Sequence, residues 1–186
     1  GRLERLEHLT LNCCDQISDE GLTHLSTLTN LLSLGLTDLT VISEVGLRHL
    51  STLTNLGTLT LAFNPASDEN FQVIAEHHTE KLQVLDLDAA SLGEGRITDA
   101  GLAILGKLTK LRRLKLGYHS FTPNGLASLS GLTNLESLSL ESVEGCVTGD
   151  SLKSLCKLVH LRKLNLDSCP TFDDDAMSAL VHFTEL

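Results

Sequence analysis

Large aromatic side chains are almost absent from this chain of 186 residues, which contains no tryptophan, one tyrosine and five phenylalanines. A thick core built around large rings is therefore excluded, and the 42 leucines must fill the interior as thin layers of one side-chain shape. Long hydrophobic runs are also missing, since no apolar stretch approaches about 20 residues. The sequence predicts no membrane span.

Cysteine and histidine are too few and too scattered to indicate a covalent or metal framework. The five cysteines are odd in number and form no Cys-x-x-Cys pair, which argues against disulfides and against a zinc motif. The densest histidine cluster, His77-His78, lies at a predicted helix end where adjacent side chains diverge, and we interpret it as a solvated terminus. We expect reduced thiols, a cytoplasmic location, no metal and no cofactor.

Positive charge is scarce, because 14 lysines and arginines stand against 24 aspartates and glutamates, giving a formal net charge of −10. Ten of the acids lie at or just after predicted helix starts, where each carboxylate stabilises the helix dipole by roughly 0.3–1 kcal/mol. The remaining pattern indicates no basic stripe, so the sequence argues against nucleic-acid binding. The ten acids are Asp19, Glu20, Glu44, Asp68, Glu69, Asp99, Asp150, Asp173, Asp174 and Asp175.

The chain is organised by the string Leu-x-x-Leu-x-Leu, which first occurs at Leu6/Leu9/Leu11 and recurs every 24 to 29 residues. A period of this length predicts a solenoid, in which each unit buries its apolar face only against its neighbours. We expect one continuous domain over 1–186 with no linker. The units are 6–30, 31–55, 56–81, 82–110, 111–134, 135–160 and 161–185.

Each unit changes its apolar spacing from two to three residues. Leu9 and Leu11 are two apart, which predicts a short strand whose alternate residues face outward, and neighbouring units then align these strands in a parallel sheet. Leu22, Leu25 and Leu28 are three apart, which predicts a helix. A residue with a short oxygen-bearing side chain precedes each helix as an N-cap candidate. These candidates are Ser18, Ser43, Ser67, Thr98, Thr122, Thr148 and Asp173.

The units resemble leucine-rich repeats, and the resemblance covers the whole chain. The segment Leu9 to Leu22 is similar to the cysteine-containing class found in F-box leucine-rich repeat adaptors, and Ile97 to Leu102 is similar to a motif of protist and bacterial arrays. The resemblance implies a right-handed α/β solenoid with a parallel sheet on the concave face and helices on the convex face. It also implies a protein-protein interaction scaffold or adaptor. The residue three positions after the last leucine of each Leu-x-x-Leu-x-Leu string is called the ladder position here. It holds Cys14, Leu39, Asn64, Ala90, His119, Val143 and Cys169.

No arrangement of residues predicts catalysis. Cys156 and His160 are four residues apart, but no third group is placed to orient the histidine. The carboxylates are spread along the array instead of being paired in a closed pocket, and a solenoid exposes long surfaces. We expect no enzyme activity.

The predicted partner-binding site lies on the outward sheet face of units three to five. Phe63 and Tyr118 share one column just after the strands, on either side of Ala89, and exposed aromatic residues dominate interface hot spots. Asp86 and Asp88 are expected to face Arg113 and Lys115 on the next strand. Cross-strand charge pairing is the simpler interpretation of these four charges and is worth at most about 1 kcal/mol at a surface. The insertion Ser91 to Arg96 is a further recognition candidate.

Several alternatives remain open at the level of sequence. A second binding hypothesis places a basic peptide on the acidic strand ends, namely Asp38, Asp88, Glu141 and Asp167. The chain is alternatively a structural subunit of a large assembly, or a secreted or surface recognition protein. Neither end shows a polar capping segment, so we expect further repeats or an end-to-end contact with another chain. The identity of the protein partner is not encoded.

Overall fold

Seven short strands form one parallel sheet in the computed structural model, which describes residues 3–39, 41–64, 67–89 and 97–186. The strands follow one another in chain order across the sheet, as the repeat predicts. Each spans three residues, and the bounds are β1 His8–Thr10, β2 Ser33–Gly35, β3 Thr58–Thr60, β4 Val84–Asp86, β5 Arg113–Lys115, β6 Ser137–Ser139 and β7 Lys163–Asn165.

The strand register places the middle leucine of every strand beside the middle leucine of the next. Leu59 pairs with Leu34 on one side and with Leu85 on the other. These side chains point into the core and are fully buried, whereas the flanking strand residues face outward. The predicted alternation and the parallel sheet are therefore confirmed.

The helical half of each unit begins as an α-helix. The described α-helices are α1 Asp19–Thr23, α2 Glu44–Arg48, α3 Asp68–His77, α4 Asp99–Leu105, α5 Pro123–Ala127, α6 Gly149–Ser154 and α7 Asp174–Ala179. Five of them continue as 3₁₀ helices, which are His24–Thr27 after α1, His49–Thr52 after α2, Ser128–Gly131 after α5, Leu155–Lys157 after α6 and Leu180–His182 after α7.

The 3₁₀ segments correct the expectation of one continuous helix per unit. A spacing of three residues matches the 3.0 residues per turn of a 3₁₀ helix better than the 3.6 of an α-helix. Leu22, Leu25 and Leu28 follow that spacing. All three are buried, and Leu25 lies in the 3₁₀ segment. In α3 the buried Phe71, Ile74 and Ala75 follow the three-and-four spacing of an α-helix, and the helix remains α-helical over ten residues.

All seven predicted N-cap residues occupy the N-cap position. Six of them accept a hydrogen bond from a backbone N–H of the first turn, and Ser18 is the exception. Thr148 forms a reciprocal capping box with Ser151, and Pro123 occupies the first turn of α5 without loss of a hydrogen bond.

Three of the helix-start aspartates also connect one unit to the next. The Asp99 carboxylate accepts hydrogen bonds from the backbone N–H of Thr122 at 2.8 Å and from its hydroxyl at 2.5 Å. Asp19 makes the same pair of bonds to Ser43, and Asp68 makes it to Thr98. These carboxylates therefore bind the next unit's N-cap in addition to stabilising their own helix.

The ladder position performs a similar role on the inner side of the turn. The Asn64 amide donates to the Leu36 carbonyl at 2.6 Å, and the Cys169 thiol donates to the Leu140 carbonyl at 3.0 Å. The buried His119 ring lies with Nε2 at 2.8 Å from the Leu87 carbonyl, which can only accept. Cys14 does not connect two turns, because it is exposed and its thiol donates to the Asn12 carbonyl of its own turn.

His78 differs from the predicted solvated helix end. It lies at the C-cap of α3 with 4% of its surface exposed, and its Nδ1 has no hydrogen-bond partner within the described residues. Burial lowers the pKa of this imidazole to about 4, and the nearby His77 lowers it further in the same direction. His78 is therefore neutral at pH 7 and belongs to the core.

No helix in the described part of the chain is long and apolar enough to cross a membrane.

Candidate partner-binding surface

The third residue after six of the seven strands adopts a left-handed backbone conformation. Six non-glycine residues of this column have φ between 54° and 65°, a region that bulky side chains adopt at a cost of about 1–2 kcal/mol. In five of them the backbone N–H extends the hydrogen bonding of the sheet, as when the Phe63 N–H donates to the Asp88 carbonyl at 2.7 Å. The six are Cys13, Asp38, Phe63, Tyr118, Ser142 and Ser168.

Phe63 and Tyr118 occupy this column as predicted, but their environments differ. The Phe63 ring is 44% exposed. Tyr118 is half-buried, and its hydroxyl donates to a carboxylate oxygen of Glu141 at 3.1 Å. Ala89 lies buried between their units, which corrects the picture of an exposed small residue flanked by two exposed rings. Phe63 is therefore the one strongly exposed aromatic anchor among the predicted site residues.

Two aspartates and a lysine form a charged cluster beside this column, here called the Asp-Lys cluster. The Lys115 ammonium lies 2.7 Å from a carboxylate oxygen of Asp86 and 3.7 Å from one of Asp88. The hydrogen bond to Asp86 raises the pKa of Lys115. Burial raises the pKa of Asp88, although its carboxylate also accepts the Gly117 N–H at 2.7 Å. The predicted cross-strand charge pairing is present at these three residues.

Arg113 lies on the same sheet face but apart from the aspartates. The register places it opposite Val84, and Asp86 is opposite Lys115. Within the part of the chain that the structure describes, Arg113 is exposed and makes no ion pair. The expectation that both cations face the aspartates is therefore wrong for Arg113. This residue lies at the beginning of β5, where other cations lie along the same edge of the sheet.

The acidic strand ends of the second binding hypothesis are only partly available to a ligand. Asp88 is bonded to Gly117 and lies near Lys115, and Glu141 accepts the Tyr118 hydroxyl. Asp167 is exposed, and Asp38 is half-buried in the left-handed column. Asp88 and Glu141 are therefore already engaged within the fold.

Sequence reasoning missed the role of His119 beside this surface. Besides its bond to Leu87, the ring accepts the Ile97 N–H through Nδ1 at 3.4 Å. His119 thus contacts residues before and after the predicted insertion, Ser91 to Arg96. The insertion itself lies outside the described residues. The signal in the sequence was its place at the ladder position, which Cys14 and Cys169 occupy in other units.

No metal or nucleophile site accompanies this surface in the described residues. Groups of three or more histidine, cysteine, aspartate or glutamate side chains with metal-binding geometry do not occur there. The five thiols are unpaired, and burial raises the pKa of Cys146 to about 12. The half-buried Cys156 thiol donates to the Leu152 carbonyl, whereas His160 is exposed in the following turn.

Comparison with known proteins identifies the repeat. A family model described as Leucine Rich repeat matches residues 5–26 and 157–181. The structure is similar to an internalin C2 of Listeria monocytogenes, with 22% sequence identity and a TM-score of 0.61, over 97% of this chain and 80% of that one. Two segments of the chain therefore match leucine-rich repeats, and the solenoid fold that the sequence predicts is confirmed. The similarity to F-box adaptors stays a prediction.

Two further solved structures share the fold. A leucine-rich repeat protein of Leptospira interrogans matches with 19% identity and a TM-score of 0.57, over 87% of this chain and 38% of that one. An internalin F of Listeria monocytogenes matches with 22% identity and a TM-score of 0.54, over 99% of this chain and 61% of that one. This chain thus spans less than two thirds of the length of these two structures. No curated protein matches its sequence.

Proposed function

We propose that this leucine-rich-repeat chain is a non-catalytic adaptor that binds a partner protein on the concave sheet face of units three to five. The fold supports a protein-interaction scaffold in general, and we propose that the partner binds on the sheet face of units three to five. Its central observation is Phe63, a large ring that is 44% exposed although its backbone lies in the left-handed region at φ 61°. An exposed phenylalanine in that conformation has a conformational cost without the full benefit of burial, and such positions concentrate at binding sites.

The surroundings of Phe63 fit a protein partner with both apolar and charged groups. Tyr118 lies two strands further along the same column, about 10 Å away at the ordinary strand spacing. The Asp-Lys cluster lies beside them, with its aspartates at the end of β4 and Lys115 at the end of β5. An apolar anchor beside charges of both signs is the composition of an interface core with its polar rim.

The polar members of this surface are held in place before a partner arrives. Lys115 is fixed by Asp86, Asp88 by the Gly117 N–H, and Tyr118 by Glu141. Side chains that are already ordered lose little conformational entropy on binding, which favours affinity. We therefore expect Phe63 and Tyr118 to provide most of the binding energy and the charges to set orientation.

The test compares three forms of the protein as bait in quantitative partner capture: the wild type, Phe63→Ala and Val45→Ala. Val45 is similarly exposed but lies on α2, away from the sheet face. A partner of this site is recovered by the wild type and by Val45→Ala and is depleted with Phe63→Ala. Calorimetry on that partner is expected to show an affinity loss of about 30-fold or more, the range of a hot-spot truncation of about 2 kcal/mol.

Two outcomes reject the site. One is an unchanged affinity for the captured partner when Phe63→Ala and Tyr118→Ala are combined. The other is a strong loss of affinity with added salt while Phe63→Ala has no effect, because that behaviour belongs to a basic peptide on the acidic strand ends. Permanent, stoichiometric recovery of the partner under all conditions identifies a structural subunit instead of an adaptor.

A further inference from the structure

A second charged surface lies at the opposite end of the strands, along the sheet edge where the strands begin. We propose that this surface, here called the basic edge, binds an acidic segment of a partner protein. It is formed by the turns 107–113 and 157–163, which enter β5 and β7. Its seven cations are Lys107, Lys110, Arg112, Arg113, Lys157, Arg162 and Lys163, all of which are exposed.

The repeat aligns the two turns so that their charges form parallel rows. Arg113 and Lys163 both flank Ser137 in the strand register, which places their strands about 10 Å apart. The turn between them carries Gly131 and Asn134 where the others carry lysine or histidine. Half of the 14 lysines and arginines of a chain with net charge −10 are thus gathered in two turns. This edge corrects the expectation that the chain has no basic stripe.

The two basic turns lack a side-chain hydrogen bond that other turns make at the same position. Asn30, Asn55 and Asn134 each donate their amide to a carbonyl of the preceding turn, at 2.6–2.8 Å. In the two basic turns this position holds Lys110 and His160, which make no hydrogen bond within the described residues. The Lys110 side chain, without such a connecting bond, remains available to a ligand at this edge.

The chain itself shows that this edge accepts carboxylates. The Arg112 guanidinium lies 3.1 Å from a carboxylate oxygen of Glu136, and that of Arg162 lies 3.3 Å from one of Glu185. The other five cations make no ion pair with described residues. They are Lys107, Lys110, Arg113, Lys157 and Lys163.

Several features favour an acidic peptide over a nucleic acid. The two turns contain no phenylalanine, tyrosine or tryptophan on which bases could stack. Further along the same concave face lie Asp86, Asp88, Glu141 and Asp167, which repel any polyanion that extends across the sheet and so limit the ligand to a short anionic segment along the edge. Val159, half-exposed between the cations, offers one apolar contact of the kind that a peptide side chain can use.

The test measures binding of a fluorescent octaglutamate peptide to the whole chain in buffer of physiological ionic strength. The variant Lys110→Glu/Lys163→Glu reverses two cations of the basic edge. The control Arg48→Glu/Lys153→Glu makes the same change of net charge on the helices α2 and α6. We expect the edge variant to weaken binding at least about tenfold and the control to weaken it less than about twofold. Thermal unfolding verifies that both variants are folded.

Three results overturn the proposal. The first is no saturable binding of octaglutamate to the wild type. The second is an equal loss in both double variants, which means that net charge and not the edge governs binding. The third is tighter binding of a twelve-nucleotide oligo-dT or of a heparin octasaccharide than of octaglutamate, which assigns the edge to a nucleic acid or a sulfated glycan. A Phe63→Ala control keeps octaglutamate binding, so failure here is separable from failure of the concave site.

Discussion

Two single residues of this chain behave unusually. Phe63 has an unusual backbone conformation, and His78 has an unusually low pKa. Phe63 lies at φ 61°, where an L-residue with a Cβ has a conformational penalty of about 1–2 kcal/mol. Replacing Phe63 by glycine is therefore expected to destabilise the fold less than replacing it by alanine. Both variants lose the ring, and we expect a difference of about 1 kcal/mol in the free energy of unfolding, measured with urea.

The control for this prediction is Thr60, which lies in β3 with an ordinary strand backbone. There the order is expected to reverse, because glycine in a strand is less stable than alanine by roughly 0.5–1 kcal/mol. An alanine variant at Phe63 that equals or exceeds the glycine variant in stability would contradict the left-handed conformation.

His78 predicts a loss of stability in mild acid. Its pKa is lowered to about 4 in the folded protein, below the value of 6.5 that it has when unfolded. Protons therefore bind the unfolded chain more readily, and stability falls as the pH drops from 6.5 towards 4. This lowering of the pKa corresponds to about 3 kcal/mol at most. His78→Gln is expected to remove this part of the pH dependence.

The measurement is the free energy of unfolding at several pH values, with His160→Gln as the control because His160 is exposed. Carboxylates also titrate in this window, so the quantity of interest is the difference between each variant and the wild type. Identical pH profiles for the wild type and His78→Gln would show that the buried imidazole does not control acid stability.

At the scale of the element, the helix starts of successive units are connected by carboxylates. Gly125 in α5 leaves room for the Asp99 carboxylate, and a Cβ at this position would overlap it. Gly125→Ala and Asp99→Ala are each expected to destabilise the protein by about 1–3 kcal/mol, the first by displacing the carboxylate and the second by removing its bonds to Thr122.

These two substitutions are expected to be coupled in a double-mutant cycle. Once the carboxylate is absent, the added methyl group has nothing to displace, so the double variant loses less stability than the sum of the single losses. Chemical denaturation of the four proteins measures this coupling, and strictly additive losses would contradict the inter-unit role of Asp99. Glu44→Gln is a matched control, since Glu44 occupies the same first helical position in α2.

Sequence reasoning succeeded for features that repeat within one unit. The two-residue spacing of Leu9 and Leu11 was enough to predict the strands. Short polar residues such as Thr98 were enough to predict the N-caps of the helices. It missed features that arise between units. The bond from Asp99 to Thr122 spans 23 residues, and the alignment of Arg113 with Lys163 depends on a register across three strands. Burial of His78 depends on packing at a helix end, which no local pattern encodes.

For the whole molecule, the decisive property is that the main contacts between the described strands and helices join adjacent units. The strands pair in chain order, and the main helix contacts likewise join adjacent units. In such a one-dimensional array a defect in one unit weakens the two interfaces beside it without directly disturbing the others. The two proposed binding surfaces use different ends of the same strands, so they share this rigid array as their support.

A cavity in a central unit is therefore expected to uncouple the array. Leu85 is fully buried in the middle of β4, and Leu85→Ala should cost about 2–5 kcal/mol locally. Hydrogen exchange is expected to accelerate at the ladder amides of Leu61 and Leu87, whereas the amide of Leu140, bonded to Asn165, keeps most of its protection. The exposed Val45→Ala is the control and should change none of them. Uniform acceleration along the chain would instead mean that all units unfold as one, because a nearest-neighbour array predicts a loss of protection confined to the units beside the cavity.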